Sequence, residues 1–266
     1  HRADVKFLVI EPAKREYRLL LKHPELVDRL HVFTLGDERT SPFRLNPFEV
    51  VGYPQTSVGV HLDLLRSVFT ASFGMWTPLP QILEQCLYRI YEDRGWDITS
   101  NDNPRLAGAS DPTPAFPTLS DLAAKVEEVT SQLGYEERIT SDMRAALLTR
   151  INSLRTGGKG RMLDTQQSMP MELLLNHPTV LELEGMGDDD DKAFVMGLMF
   201  IRLVEHRRQI GQSKSLDHLL VIEEAHRLLT NVGERTEAEG NPRGKAVESF
   251  ANLLAEIRAY GQGVLI

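Results

Sequence analysis

Apolar residues along this chain gather into two kinds of run that alternate. Residues 5–10 (VKFLVI), 31–35 (HVFTL) and 219–222 (LLVI) are short and continuous, as in buried strands, and residues 179–184 alternate in part between apolar and polar. Between them, apolar residues recur at three and four: Tyr17, Leu20 and Leu21; Leu62, Leu65, Val68 and Phe69; Ile82, Leu83, Leu87 and Ile90; then residues 119–133 and 141–154. Residues 192–208 are apolar nearly all round, which predicts a helix buried against a sheet, and residues 247–257 return to helical spacing. Strand and helix in alternation predict an α/β fold with a mainly parallel sheet, its core built from residues 1–54 and 156–266, with 55–155 a helical insertion.

Breakers divide these runs. Glu11-Pro12 closes the first strand, because proline cannot donate to a central ladder. Residues 41–53, rich in Pro, Asn and Phe, read as an ordered loop, residues 74–80 as a turn between two helices, and residues 97–117 as a mobile surface loop. Thr118 or Ser120 would cap one helix and Ser141-Asp142 the next. Residues 188–191 are four aspartates, a helix cap and dipole complement rather than a metal cage, since contiguous aspartates cannot all face one ion. Gly261 and Gly263 are expected to end the last helix, and residues 233–245 to form a disordered or partner-ordered loop.

Composition narrows the class. Lys and Arg number 30 against 38 Asp and Glu, a net charge of -8, so any contact with nucleic acid must be local. Residues 155–161, with Arg155, Lys159 and Arg161 among glycines, are the local candidate: a flexible basic loop on the phosphates of DNA or of a neighbouring subunit's nucleotide, or else a solvated connector. Cys86, the single cysteine, lies in an apolar helical pattern and reads as a buried structural thiol in a reducing compartment. No apolar run reaches about 18 residues, so nothing reads as membrane-spanning, and a cytoplasmic location is expected. The chain opens without Met and stops within a strand-like run, and it reads as cut from a longer one. His61 and His226 lack metal-ligand spacing and read as structural, and Trp76 and Trp96 as core or interface anchors.

The candidate chemistry lies at Glu223-Glu224, where a buried strand ends in two acids. Ligands of open parallel sheets bind outside the carboxyl ends of the strands. Adjacent residues at a strand end are expected on opposite sides, which divides their tasks. Glu223 would hold Mg²⁺ through water, and Glu224 would hold the attacking water as general base. Glu11 is a second acid at a strand tip. The phosphate loop that should complete such a site, G-x-x-x-x-G-K-[ST], occurs nowhere in these residues: Lys159 is followed by Gly, and the 211–215 segment (GQSKS) lacks the glycine before its lysine.

Four segments carry a resemblance: 7–18 (FLVIEPAKREYR), 181–190 (LELEGMGDDD), 221–229 (VIEEAHRLL) and 257–263 (IRAYGQG). In this order they resemble the HerA-type branch of the HerA/FtsK ATPases over almost the whole chain. The resemblance implies a RecA-like P-loop NTPase core that assembles as a homo-hexameric ring, hydrolyses ATP with Mg²⁺ between subunits and pumps double-stranded DNA. It also implies a nuclease or sirtuin-type effector protein as partner, in DNA-end processing or anti-phage defence. By position, Glu223 matches the Walker B acid and Glu224 the catalytic glutamate. Arg258 matches the late arginine that serves a nucleotide, and Glu11 the strand-ending acid on the nucleotide side. Glu223 stands where many such ATPases have Asp. The Walker A segment is expected before His1 and the polar sensor after Ile266, and without them the chain is expected not to bind ATP productively. The other readings are a catalytically idle ring scaffold and a secretion or conjugation ATPase.

Overall fold

The computed structural model describes residues 5–224 and 252–266. Its centre is one sheet made from the short apolar runs: β1 (Lys6–Glu11), β2 (His31–Thr34), β3 (Thr179–Glu182), β4 (Ser213–Ile222) and β5 (Tyr260–Leu265). The strands lie in the order β2-β3-β1-β4-β5, and every pair is parallel. Alternation along the strands separates two faces. Val32, Val180, Val9 and Val221 lie in one row across the sheet, and on this face Leu26 and Leu30 cover them. Leu8, Ile10, Leu181, Leu220 and Ile222 belong to the much larger core on the other face.

Helices fill that larger core. α1 (Val58–Phe73), α2 (Leu79–Asp93), α3 (Leu119–Ser131) and α4 (Glu137–Leu154) come from the predicted helical stretch, followed by α5 (Gly157–Leu163) and α6 (Met171–Leu175). α7 (Asp189–Ile210) is buried from Asp191 to Arg207, as its all-round apolar pattern requires. α1 packs along α7, and the close approach needs a glycine, because a Cβ on Gly197 would stand 2.8 Å from Val68 Cγ1. Phe69, Phe73 and Phe194 fill the rest of that seam, with Phe69 and Phe194 centroids 4.6 Å apart. The insertion helices therefore share one continuous apolar core with the sheet.

Several expectations change on contact with the fold. Residues 97–117 are tied down: Asn101 accepts the Val58 N–H at the start of α1 at 2.8 Å, beside the Ser57 cap, Asn103 is buried, and Trp96 stacks on Phe116 at 5.1 Å. Side-chain amides satisfy the backbone there, so a breaker-rich composition gives an ordered loop. Thr118 is the cap of α3, in a capping box with Asp121, but α4 begins at Glu137, which leaves Ser141 and Asp142 inside the helix. Asp188 caps α7 by accepting from the Asp190 and Asp191 amides. Residues 157–163 are helical rather than a flexible loop. Gly261 and Gly263 lie within β5 rather than capping a helix, and the 211–215 segment runs into β4. Trp96 is buried, whereas Trp76 is 46% exposed. Cys86 is buried, and His61 bridges Glu205 and the Pro47 carbonyl as a structural residue. His226 and residues 233–245 lie outside the described residues, and of the last predicted helix residues 252–256 are described as helical. Among the described residues no helix is long and apolar enough to cross a membrane.

Candidate active site

Strand register gathers acids at the carboxyl edge of the sheet. Glu11 ends β1 opposite Glu182 of β3, Thr34 of β2 faces Glu182 from the other side, and Ile10 pairs with Ile222, so Glu223 leaves β4 beside Glu11. Carboxylates this close raise one another's pKa unless each has its own donors.

Glu182 is fully buried and fully supplied. Arg18 Nε donates to its Oε1 at 2.6 Å and Thr34 Oγ1 to its Oε2 at 2.9 Å, while Arg18 Nη2 donates to Thr34 Oγ1 at 2.7 Å. Glu11, only 3% exposed, accepts the Glu16 N–H on Oε1 at 2.9 Å, and its Oε2 has no hydrogen-bond partner among the described residues. Burial raises the Glu11 carboxyl above the usual range; the Glu16 and Tyr17 amides pull it back, and the charges of Glu182 and Glu16 add to the rise.

The Glu223 N–H donates to the Ile10 carbonyl at 3.0 Å, continuing the β1–β4 ladder past the end of the strand. Its Oε1 accepts from the Tyr17 hydroxyl at 2.6 Å. The Tyr17 phenol is pushed up to about 12, by burial first and then by the hydrogen bond and charge of Glu223. Glu224 has a backbone φ of +52°, the left-handed region that costs a non-glycine residue roughly 1 kcal/mol or more. This turn ends the pleat. Glu223 and Glu224, expected on opposite sides of the strand, instead line one cleft of about 280 Å³ together with Glu11, Lys14, Tyr17 and Leu20.

Among the described residues no three His, Cys, Asp or Glu side chains form a ready metal cage. The donor set nevertheless suits Mg²⁺, which keeps several waters and takes one or two carboxylates alongside substrate phosphates. A buried carboxylate oxygen without a partner, Glu11 Oε2, is the feature that such a hydrated cation would satisfy.

Arg258 lies elsewhere. It sits in the 3₁₀ turn Ile257–Ala259 just before β5, whose first residue pairs with Ser213 at the start of β4. Most of the length of β4 thus separates Arg258 from Glu223, on the order of 20 Å at the usual rise per strand residue once the irregularity between Ser213 and His218 is allowed for. The basic segment is also committed in part. Arg155 donates to Asp164 at 3.1 Å and to Ser120 at 2.9 Å, and Lys159 pairs with the buried Asp191. Arg161 is exposed and lines a second cleft of about 680 Å³ with Arg15, Arg39 and Gly185, beyond the tips of β2 and β3. Tyr17, Arg18, Thr34 and Glu182 enter the site without having been singled out by sequence. The signal available was that three strand runs end in an acid, at Glu11, Glu182 and Glu223.

No protein-family model matches the chain, and no curated protein matches it. Solved structures do. VirB4 of Thermoanaerobacter pseudethanolicus superposes with a TM-score of 0.66 at 17% identity, over 99% of this chain and 62% of that one. The bacterial conjugative coupling protein TrwB aligns with a TM-score of 0.41 at 13% identity, over 98% of this chain and 61% of that one. TrwB in complex with ADP and Mg²⁺ gives 0.39 at 15% identity, over 98% and 62%. The chain thus spans about 62% of the VirB4 chain. The VirB4 likeness shows the fold, the α/β architecture of RecA-like P-loop NTPases; it does not single out a HerA-type branch.

Proposed function

We propose that this chain carries the hydrolytic edge of an ATP-driven motor subunit of the FtsK/HerA-like kind. The observation that supports the reading is the convergence of Glu11, Glu223 and Glu224 on one cleft at the carboxyl edge of an all-parallel sheet. Glu223 would hold Mg²⁺ through a water molecule, and Glu224 would orient the attacking water and take its proton. Bound Mg²⁺ would supply neutralisation of charge on the phosphates. Arg258, a strand length away from these acids, would serve a nucleotide held by an adjacent subunit if the chain forms the ring, expected as a homo-hexamer, that its resemblance implies. The motor would act on double-stranded DNA in the cytoplasm, with a nuclease or sirtuin-type effector protein as partner; of the basic segment the exposed Arg161 would face the phosphates, with Arg155 and Lys159 fixing its backbone through Asp164 and Asp191. A second reading, a secretion or conjugation ATPase, is favoured by the likeness to VirB4.

The test is ATP hydrolysis by the protein as its gene encodes it, with Mg²⁺ and with or without linear double-stranded DNA. DNA-stimulated hydrolysis supports the translocase, and hydrolysis indifferent to DNA supports the second reading. A protein that neither binds nor hydrolyses ATP overturns both in favour of an idle scaffold.

A further inference from the structure

Glu223 leaves the sheet one residue beyond its last ladder position, with a side chain one methylene longer than Asp and correspondingly free to turn. One contact removes that freedom. The Tyr17 hydroxyl donates to Oε1 at 2.6 Å, the short separation of a hydroxyl hydrogen bond to a charged acceptor. Tyr17 is itself anchored at both ends. Its ring packs against the apolar cluster of Val9, Leu26, Leu30 and Val180, and the turn that carries it is pinned where Glu11 Oε1 accepts the Glu16 N–H at 2.9 Å. The contact spans 206 positions in sequence and bridges the turn after β1 to the tip of β4.

We propose that Tyr17 is the positioning residue for Glu223: by occupying Oε1 it fixes the carboxylate so that Oε2 faces the cleft, which sets how tightly the site retains a hydrated divalent cation with its nucleotide. This rests on the reading of Glu223 as the acid that faces the metal. Tyr17 lines the same cleft, and its proposed effect on the cation runs through Glu223, whose Oε1 it occupies. The geometry gives the phenol a task that its apolar ring, the property legible in sequence, does not require.

The experiment compares Tyr17→Phe, Glu223→Gln and the double variant in the full gene product, with Mn²⁺·ADP as the probe and bound Mn²⁺ read by electron paramagnetic resonance. Phe keeps the ring packing and water can replace the hydroxyl at the exposed Glu223, so the unfolding midpoint should fall only slightly. Tyr17→Phe should weaken Mn²⁺ retention roughly two- to tenfold, the scale of one hydrogen bond at a solvent-accessible carboxylate. In the Glu223→Gln background the same change should add nothing. Wild-type retention in Tyr17→Phe, or losses that multiply in the double variant, overturns the proposal. An activity-free readout separates the two layers. With ζ-carbon-labelled tyrosine, the NMR resonance that disappears in Tyr17→Phe should move in Glu223→Gln without nucleotide, and an unmoved resonance also overturns the proposal. If that resonance moves but Glu223→Gln retains Mn²⁺ like wild type, the contact stands and the metal-facing role of Glu223 fails, which overturns the proposed effect on the cation.

Discussion

Glu11 and Glu182 end neighbouring strands in register, and the fold keeps them compatible by treating them differently: Glu182 receives the Arg18 guanidinium and the Thr34 hydroxyl, whereas Glu11 receives only backbone amides and keeps Oε2 without a partner among the described residues. Glu182 is held as an acceptor, and Glu11 is left with a carboxyl pushed above its usual range, first by burial.

That asymmetry predicts a pH dependence of stability. With its folded pKa raised above the unfolded value, Glu11 contributes stability that is fully present below the ordinary glutamate pKa and is lost as pH rises through the raised value. At neutral pH the ionised form is a cost. Glu11→Gln keeps the acceptor for the Glu16 amide and removes the charge, so the thermal midpoint should depend less on pH than in wild type. An unchanged pH dependence would contradict this.

Glu224→Gln in the full gene product should retain ATP binding and lose hydrolysis by roughly 100-fold or more, since the water loses its base while phosphate contacts survive. Single-turnover assays beside nucleotide-binding measurements make the distinction. Near wild-type turnover sinks the role of Glu224.

Arg258 and Glu223 lie at opposite edges of the sheet, so Arg258→Ala and Glu224→Gln should each abolish hydrolysis yet rescue one another on mixing. A statistical mixture forms some interfaces in which both groups are intact. Absence of any recovered activity would argue against a role across subunits.

Within the basic segment, Lys159 and Arg161 should behave differently. Lys159→Ala leaves Asp191, which is 1% exposed, with only a long hydrogen bond from Ser153 and should cost about 3 kcal/mol, recovered in part by adding Asp191→Asn. Arg161→Ala should leave denaturation unchanged and reduce DNA-stimulated hydrolysis more than basal hydrolysis. Equal reductions would point to nucleotide instead.

The strands and long helices were legible because burial leaves a mark: strands covered on both faces read as short continuous apolar runs, as at residues 7–10 and 219–222, and α7 announces itself by being apolar nearly all round. The acid pair at the tip of β4 was legible for the same reason, since a strand run ends there. What escaped was tertiary. Tyr17 reads as one more apolar position, because its partner lies 206 residues away, and the left-handed backbone at Glu224 leaves no mark in composition. Residues 155–161 read as flexible because glycine permits flexibility, yet here Gly158 answers a steric demand: a Cβ would stand 1.9 Å from the Gly36 carbonyl oxygen.

That contact also has a mechanical side. Main chain rests on main chain where Gly158 meets Gly36, with no side chain between them to bend, and one residue further on Lys159 is clipped to the first turn of α7. A side chain at position 158 would therefore have to displace the loop after β2 or pull Lys159 off Asp191, so the backbone of this segment is fixed from both sides while Arg161 stays exposed.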